Sequence, residues 1–124
     1  MLQVAPGWEL EVERGPAWLF VKVHCAPESV WDAPPLAEAV GQLLEQHMTY
    51  RLVLECDDLP VLHSMLVAEL LALQKRVAAH GGMLRVCGLS PENRQVLARC
   101  RLESRFPHNC DRTEAVMGSR PHPR

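Results

Sequence analysis

The stretch LVLECDDLPVLHSMLVAELLALQKRVAAH, Leu52–His80, decides how the rest of the chain is read. Its first part, Arg51 to Cys56 with the flanking arginine, is nearly continuous in apolar residues. A strand of that kind suits a parallel position covered on both faces. An acidic turn, Asp57-Asp58, follows. From Ser64 the apolar residues recur at helical spacing: Leu66, Leu70, Leu73 and Val77 form one stripe, and Met65, Ala68, Ala72 and Ala79 are expected to widen it. Gly81-Gly82 ends the helix by supplying the left-handed backbone that a C-terminal cap prefers. Between strand and helix stands one polar pair, His63-Ser64, where the chain changes direction.

On the N-terminal side, Trp8 to Glu13 alternates, with Trp8, Leu10 and Val12 on one face and Glu9, Glu11 and Glu13 on the other. That is the pattern of a half-buried strand. Arg14-Gly15-Pro16 is a turn. Ala17 to Cys25 is a second strand, with Leu19, Val21, Val23 and Cys25 on one face and Trp18 and Phe20 on the other. The short turn predicts an antiparallel hairpin. Asp32 ahead of Pro34-Pro35 is a helix-start signal. The helix it opens runs to about Met48 and turns Leu36, Val40, Leu43, Leu44 and His47 to one side.

On the C-terminal side, Met83 to Cys87 is a further strand. Ser90-Pro91-Glu92 opens a helix with a capping serine, a proline in the first turn and an acid beside the positive helix end. Val96 and Leu97 are its expected inward residues. Leu102 to Phe106 reads as a short strand. Asp111 to Glu114 has the spacing of a capping box, which predicts a short helix through Met117. Gly118 to Arg124 carries no apolar residue and reads as a tail. The sum is an α/β chain: a mixed sheet of about four to five strands with helices packed against it, led by an N-terminal hairpin. Residues 1–117 are expected to form a single domain.

Composition narrows the function classes. The 124 residues suffice for a full core without a disulfide or a metal. With 48% apolar and 23% charged residues the chain has the make-up of a globular protein. A net charge of -2 gives no bias toward nucleic acid. No apolar run approaches the ~18 residues a membrane span requires, so no membrane insertion is expected. The N-terminus carries no secretory pattern. The five cysteines lack Cys-x-x-Cys pairing and read as free thiols in a reducing cytoplasm. Cys25, Cys56 and Cys87 fall on expected strands as small core residues. No metal site is expected, because His24, His47, His80 and His108 have no ligand spacing with one another or with the cysteines. No cofactor is expected either, as there is no glycine-rich phosphate loop. Arg94, Arg99, Arg101 and Arg105 form a basic cluster that reads as a solvated face or a contact for an acidic partner.

From Trp8 to about Val116 the chain resembles the STAS domain, the fold named for sulfate transporters and anti-sigma factor antagonists. Three groups of residues carry the resemblance. They are Leu52 to Leu59, the helix from Ser64 through Leu70, Leu71 and Lys75 to Gly81-Gly82, and Leu84-Arg85-Val86-Cys87-Gly88-Leu89-Ser90-Pro91-Glu92 running into Arg94, Val96 and Leu97. The family's regulated motif is an Asp-Ser-Ser-Gly run at the start of the second helix, whose first serine is phosphorylated by an anti-sigma factor kinase. That serine corresponds to Ser64; the flanking motif positions hold His63, Met65 and Leu66. Leu66 in the glycine position is expected to hinder close approach of a partner backbone.

The resemblance implies a protein-binding module, not an enzyme, that regulates transcription by partner switching. Its implied partner is an anti-sigma factor of the serine-kinase type. Its implied binding surface is Asp57, Asp58, His63, Ser64, Met65 and Val67, with Ser64 as the phosphorylation site. Two readings of Ser64 stand side by side. A serine at a helix start accepts backbone N–H bonds and stabilises the helix by about 1 kcal/mol without any regulation. A phosphate there would be held by the same N–H groups and would add ~ -1.5 to -2 charge. The alternative function is an unswitched scaffold or accessory subunit of a sensory complex or lipid transporter. A hydrolase using Ser64 and His63 lacks the Gly-x-Ser-x-Gly elbow.

Overall fold

The computed structural model describes residues 2–5, 8–25, 36–59, 62, 64–109 and 111–117. The Asp32-Pro34-Pro35 helix start, His63 and the tail from Gly118 lie outside the described residues, as does the side chain of Cys25.

Six strands form one sheet in the order β1 (Leu2–Ala5), β2 (Trp8–Arg14), β3 (Leu19–Cys25), β4 (Arg51–Glu55), β5 (Met83–Cys87) and β6 (His108–Asn109). β1, β2 and β3 pair antiparallel; β3 to β6 run parallel. The expected hairpin is β2–β3, in register from Trp8 opposite Cys25 to Arg14 opposite Leu19. Gly15 closes it by donating its N–H to the Trp18 carbonyl at 2.8 Å. The mixed α/β class stands, and the sheet is wider than expected by the N-terminal β1.

The expected strand over Leu102–Phe106 is a turn instead. The amides of Arg105 and Phe106 both donate to the Leu102 carbonyl at 3.0 Å. The last strand lies just beyond it, at β6, where the Asn109 side-chain amide donates to the Val86 carbonyl at 3.0 Å. Proline at 107 has no N–H for a ladder, which accounts for the late start of this strand.

Alternation sorts the sheet into two faces. Leu10, Val12, Leu19, Val21, Val23, Leu52, Leu54 and Val86 face α1 (Leu36–His47) and α2 (Ser64–Ala79) and form the main core with them. Burying each such aliphatic side chain contributes roughly 1.5–3 kcal/mol. Trp18, Val53 and Cys87 face the other way and meet Ala115 of α4 (Arg112–Met117), with Phe20 packed alongside. The two covered faces explain why β4 is apolar at successive positions: Leu52, Val53 and Leu54 are all fully buried.

α1 and α2 lie against each other on the main face. Gly41 is buried under the Arg76 guanidinium, where a Cβ would collide with it. Arg76 then reaches Glu45 at 2.9 Å. Glu69 of α2 accepts the Ala37 N–H at the start of α1, at 2.9 Å, filling one of the orphan donors of the first turn. In α2 the buried residues are Leu66, Val67, Leu70, Leu73 and Val77. The expected widening by Met65, Ala68, Ala72 and Ala79 is corrected: all four are exposed, and the stripe widens through Val67 on its other side.

α1, α2 and α3 (Pro91–Arg99) end in the same way. Gly82 N–H donates to Val77 O and Gly81 N–H to Ala78 O; Thr49 and Met48 repeat the pair on Leu44 and Glu45, and Leu102 and Arg101 on Leu97 and Ala98. This double bond pattern requires a left-handed residue after the helix. Gly81 takes it at φ +69°, but Met48 and Arg101 take it at +53° and +58°.

Candidate partner-binding face

The carboxyl ends of β4 and β5 and the starts of α2 and α3 meet at one end of the parallel sheet, the end where open α/β sheets carry their ligands. Cys56 N–H donates to Cys87 O at 2.9 Å, extending the pairing of β4 and β5 by one residue. The chain then turns at Asp57 and Asp58, both exposed, and Leu59 N–H closes the turn on Cys56 O at 3.2 Å.

Each aspartate is held from a different side. The Asp57 carboxylate packs on Gly88, which takes φ +73° and has no room for a Cβ beneath that carboxylate. The Asp58 carboxylate lies 2.8 Å from Nδ1 of His24, whose Nε2 lies 2.6 Å from Glu11. His24 thus links the turn to β3 and, through Glu11, to β2. The hydrogen bond from His24 is the main reason that the Glu11 carboxyl is held below its ordinary range.

Leu62, shortly before α2, is held by a buried asparagine. Asn93, only 1% exposed in the first turn of α3, accepts the Leu62 N–H at 2.8 Å. Its own N–H donates to the capping Ser90 Oγ at 3.1 Å, as the Ser90-Pro91 pattern predicts. Leu62 is itself buried in the main core. Two residues further on, Ser64 opens α2 and is exposed, and Met65 is 51% exposed.

Of the residues implicated by sequence, the structure places Asp57, Asp58, Ser64 and Met65 on the surface at this end. Val67 does not belong with them: it is 8% exposed and packs in the main core. Leu66 is likewise buried, at 3%, so its side chain points into the core and raises no obstacle on the outer surface. Asn93, His24 and Gly88 escaped sequence reasoning as parts of this end. Only Gly88 left a local trace, as a glycine between a strand and a capped helix.

The nearby thiols of Cys56 and Cys87 are buried. Burial pushes Cys56 well above the usual thiol range, with Cys87, Asp57 and Glu55 adding to the effect. Burial, then the Glu55, Asp57 and Asp111 carboxylates, push Cys87 up to about 12. Behind the turn, Arg112 of α4 binds Glu55 through two nitrogens, at 3.1 and 2.9 Å, and Glu13 at 2.9 Å. Its guanidinium lies 4.6 Å from the Phe20 ring centre. Asp111 caps α4 as expected, accepting the Glu114 N–H at 2.9 Å. Among the described residues, no group of three or more His, Cys, Asp or Glu could hold a metal ion, and no helix is long and apolar enough to cross a membrane.

A parallel-ended mixed sheet, with α1, α2 and α3 contributing to the core on one face and α4 covering the other, and with an exposed helix start beside an acidic turn, defines a small α/β module. The STAS domain model matches residues 30–116, and the chain belongs to that family. Solved structures share the fold at low identity. An anti-sigma factor antagonist from Mycobacterium paratuberculosis superposes with a TM-score of 0.70 at 19% identity, covering 93% of this chain and 97% of that one. A putative anti-sigma factor antagonist from Thermotoga maritima gives 0.67 at 12% identity over 87% and 92%. A chain from the stressosome, a signal integration and transduction hub, gives 0.67 at 15% identity over 86% and 93%. No curated protein shows significant sequence similarity to the chain.

Proposed function

We propose that this chain is a cytoplasmic protein-binding module of the anti-sigma factor antagonist type, acting in transcription regulation by partner switching and carried by residues 1–117. Its binding face is the Asp57-Asp58 turn with Ser64 and Met65, His63 lying between them in sequence. Its partner is an anti-sigma factor of the serine-kinase type, and Ser64 is the residue that partner phosphorylates. One observation carries the reading: Ser64 and Met65 are exposed at the first turn of α2, whereas Leu62, Leu66 and Val67 around them are buried. A kinase can reach the hydroxyl without unfolding the helix. An exposed methionine beside it offers the apolar contact that interface centres favour.

A second reading, an unswitched scaffold, is favoured by Met65 itself. It is half-exposed in the position of the family's second serine, so the surface has gained apolar character where the motif is polar. The two readings part on one experiment. The parent chain, Ser64→Ala and Ser64→Glu are used to capture partners from native lysate, and the captured proteins are identified by mass. A switched antagonist captures a kinase-type anti-sigma factor with the parent and Ser64→Ala but not with Ser64→Glu, and ATP adds a phosphate mass to the parent alone. Equal capture by all three proteins, with circular dichroism unchanged, sinks the switch and leaves the scaffold. A Ser64→Ala protein phosphorylated as well as the parent removes Ser64 as the site.

A further inference from the structure

From the far part of α2, we infer that this chain has a second docking surface, a groove beside β5 that receives an extended acidic peptide segment as an added strand. The groove encloses about 830 Å³ between the C-terminal half of α2 and the start of β5. It goes beyond the proposed partner face: Lys75 on its wall lies eleven residues after Ser64 on α2, roughly 16 Å along the helix axis at 1.5 Å per residue.

Three features converge there. The first is an open sheet edge. β6 pairs with β5 only at Val86 and Cys87, so Met83–Arg85 have a strand on the β4 side and none on the other among the described residues. The chain before β6 cannot fill the gap. It turns at Leu102–Arg105 and is tied to α2 instead, where Gln74 Nε2 donates to the Arg105 carbonyl at 2.8 Å. Unpaired strand backbone is a template for another strand, and peptides use it in β-augmentation. The second is apolar lining: Leu71 and Leu84 are half-buried and Met83 is 38% exposed. The third is charge. Lys75, Arg85 and Arg105 line the groove, and none of the three pairs with a carboxylate among the described residues. Elsewhere Arg76 and Arg112 do have carboxylate partners. Three cations without a carboxylate partner among the described residues, set around an apolar strand edge, are complementary to a segment that alternates acidic and apolar side chains. Alternation places one set on the groove floor and the other at the rim.

The probe is a fluorescein-labelled peptide of about eight residues alternating Asp or Glu with Val or Ile, a length set by ordinary strands. The control carries Lys in place of every acid. Anisotropy is read against the parent and a Lys75→Glu, Arg105→Glu variant, both substituted residues being exposed. The expected result is saturable binding of the acidic peptide, at least tenfold weaker in the variant, and weaker again as salt shortens the screening length. Amide shifts in the parent fall on Met83–Arg85, and Ser64→Glu binds the peptide as the parent does. Should the double variant misfold, Lys75→Gln with Arg105→Gln gives the same comparison. Equal binding of the lysine peptide, shifts confined to the region of Met65, or binding to phosphatidylglycerol vesicles but not to the peptide each overturns the inference.

Discussion

Replacing Asn93 by alanine tests most directly how the proposed partner face is held. The asparagine side chain is 1% exposed and its Oδ1 accepts the N–H of Leu62, itself 3% exposed, at 2.8 Å. Alanine removes the acceptor and leaves a buried donor unmet, which costs about 1–3 kcal/mol. The Ser90 cap survives, because it uses the backbone N–H of residue 93 and not the side chain. For a chain of this length each kcal/mol lowers the melting temperature by roughly 4 °C, so the expected drop is about 4–12 °C. Urea unfolding followed by circular dichroism measures the loss. Gln95→Ala, exposed on the same helix, serves as the control and should stay within about 0.5 kcal/mol of the parent.

The local signature is sharper than the global one. Amide hydrogen exchange should show Leu62 protected in the parent and close to unprotected in Asn93→Ala, with the β4 and β5 amides still slow. Two results refute the reasoning. One is an Asn93→Ala protein as stable as the Gln95→Ala control. The other is a Leu62 amide that already exchanges freely in the parent, since the hydrogen bond would then hold nothing.

Three further outcomes are expected. Met48→Gly should raise stability by about 0.5–1 kcal/mol in urea unfolding: the left-handed conformation at φ +53° costs a side chain about 1–2 kcal/mol, glycine's greater unfolded freedom takes back about 0.5–1, and the methionine is 87% exposed, so little packing is lost. Iodoacetamide at pH 8, with labelled sites mapped by mass, should modify exposed Cys100 quickly and spare Cys56 and Cys87, whose raised pKa values keep them protonated until far higher pH or unfolding. In His24→Phe the Glu11 carboxyl should titrate upward toward its ordinary range by carbon NMR. Since a depressed carboxyl pKa stabilises the fold above the unfolded value, the parent's advantage from this pair should fade as pH falls through the depressed one.

Elements with their own chemistry were legible in the chain. The alternation of Trp8–Glu13, the serine-proline cap before α3, the Asp111 cap and the Gly81-Gly82 stop each contain their signal within a few residues. The misses share a cause: their partners are distant. β1 is four residues long, too short to show a period, and is defined by pairing with β2. Leu102 and Phe106 are apolar because they pack under a turn, while the strand that follows is two residues long and depends on Asn109. In α2 the run from Met65 to Leu73 is apolar at so many positions that several stripes fit it. Packing against α1 and the sheet selects Val67 over Met65. Nothing local marks Asn93 as a clamp for a segment 31 residues earlier, or His24 as the partner of a turn aspartate.

These distant contacts decide what a phosphate on Ser64 would do under the proposed function. The turn before α2 is held from the α3 side through Asn93 and Gly88, and from the β2–β3 hairpin through His24. Leu62, Leu66 and Val67 are buried on either side of the serine. A backbone fixed at so many points has little freedom to rearrange when one exposed hydroxyl is modified. The helix start itself tolerates the added charge, because the positive end of a helix favours an anion. The proposed switch would therefore act through charge and not through shape. Asp57 and Asp58 already make this edge acidic, and Glu11 stands behind Asp58 across the His24 ring. A phosphate adds to a field of the same sign, and a partner accommodated to that edge loses affinity by repulsion, an effect that high salt should weaken. A phosphorylated chain whose main-chain amide spectrum changes throughout β4 and α3, and not only around Ser64, would contradict this view.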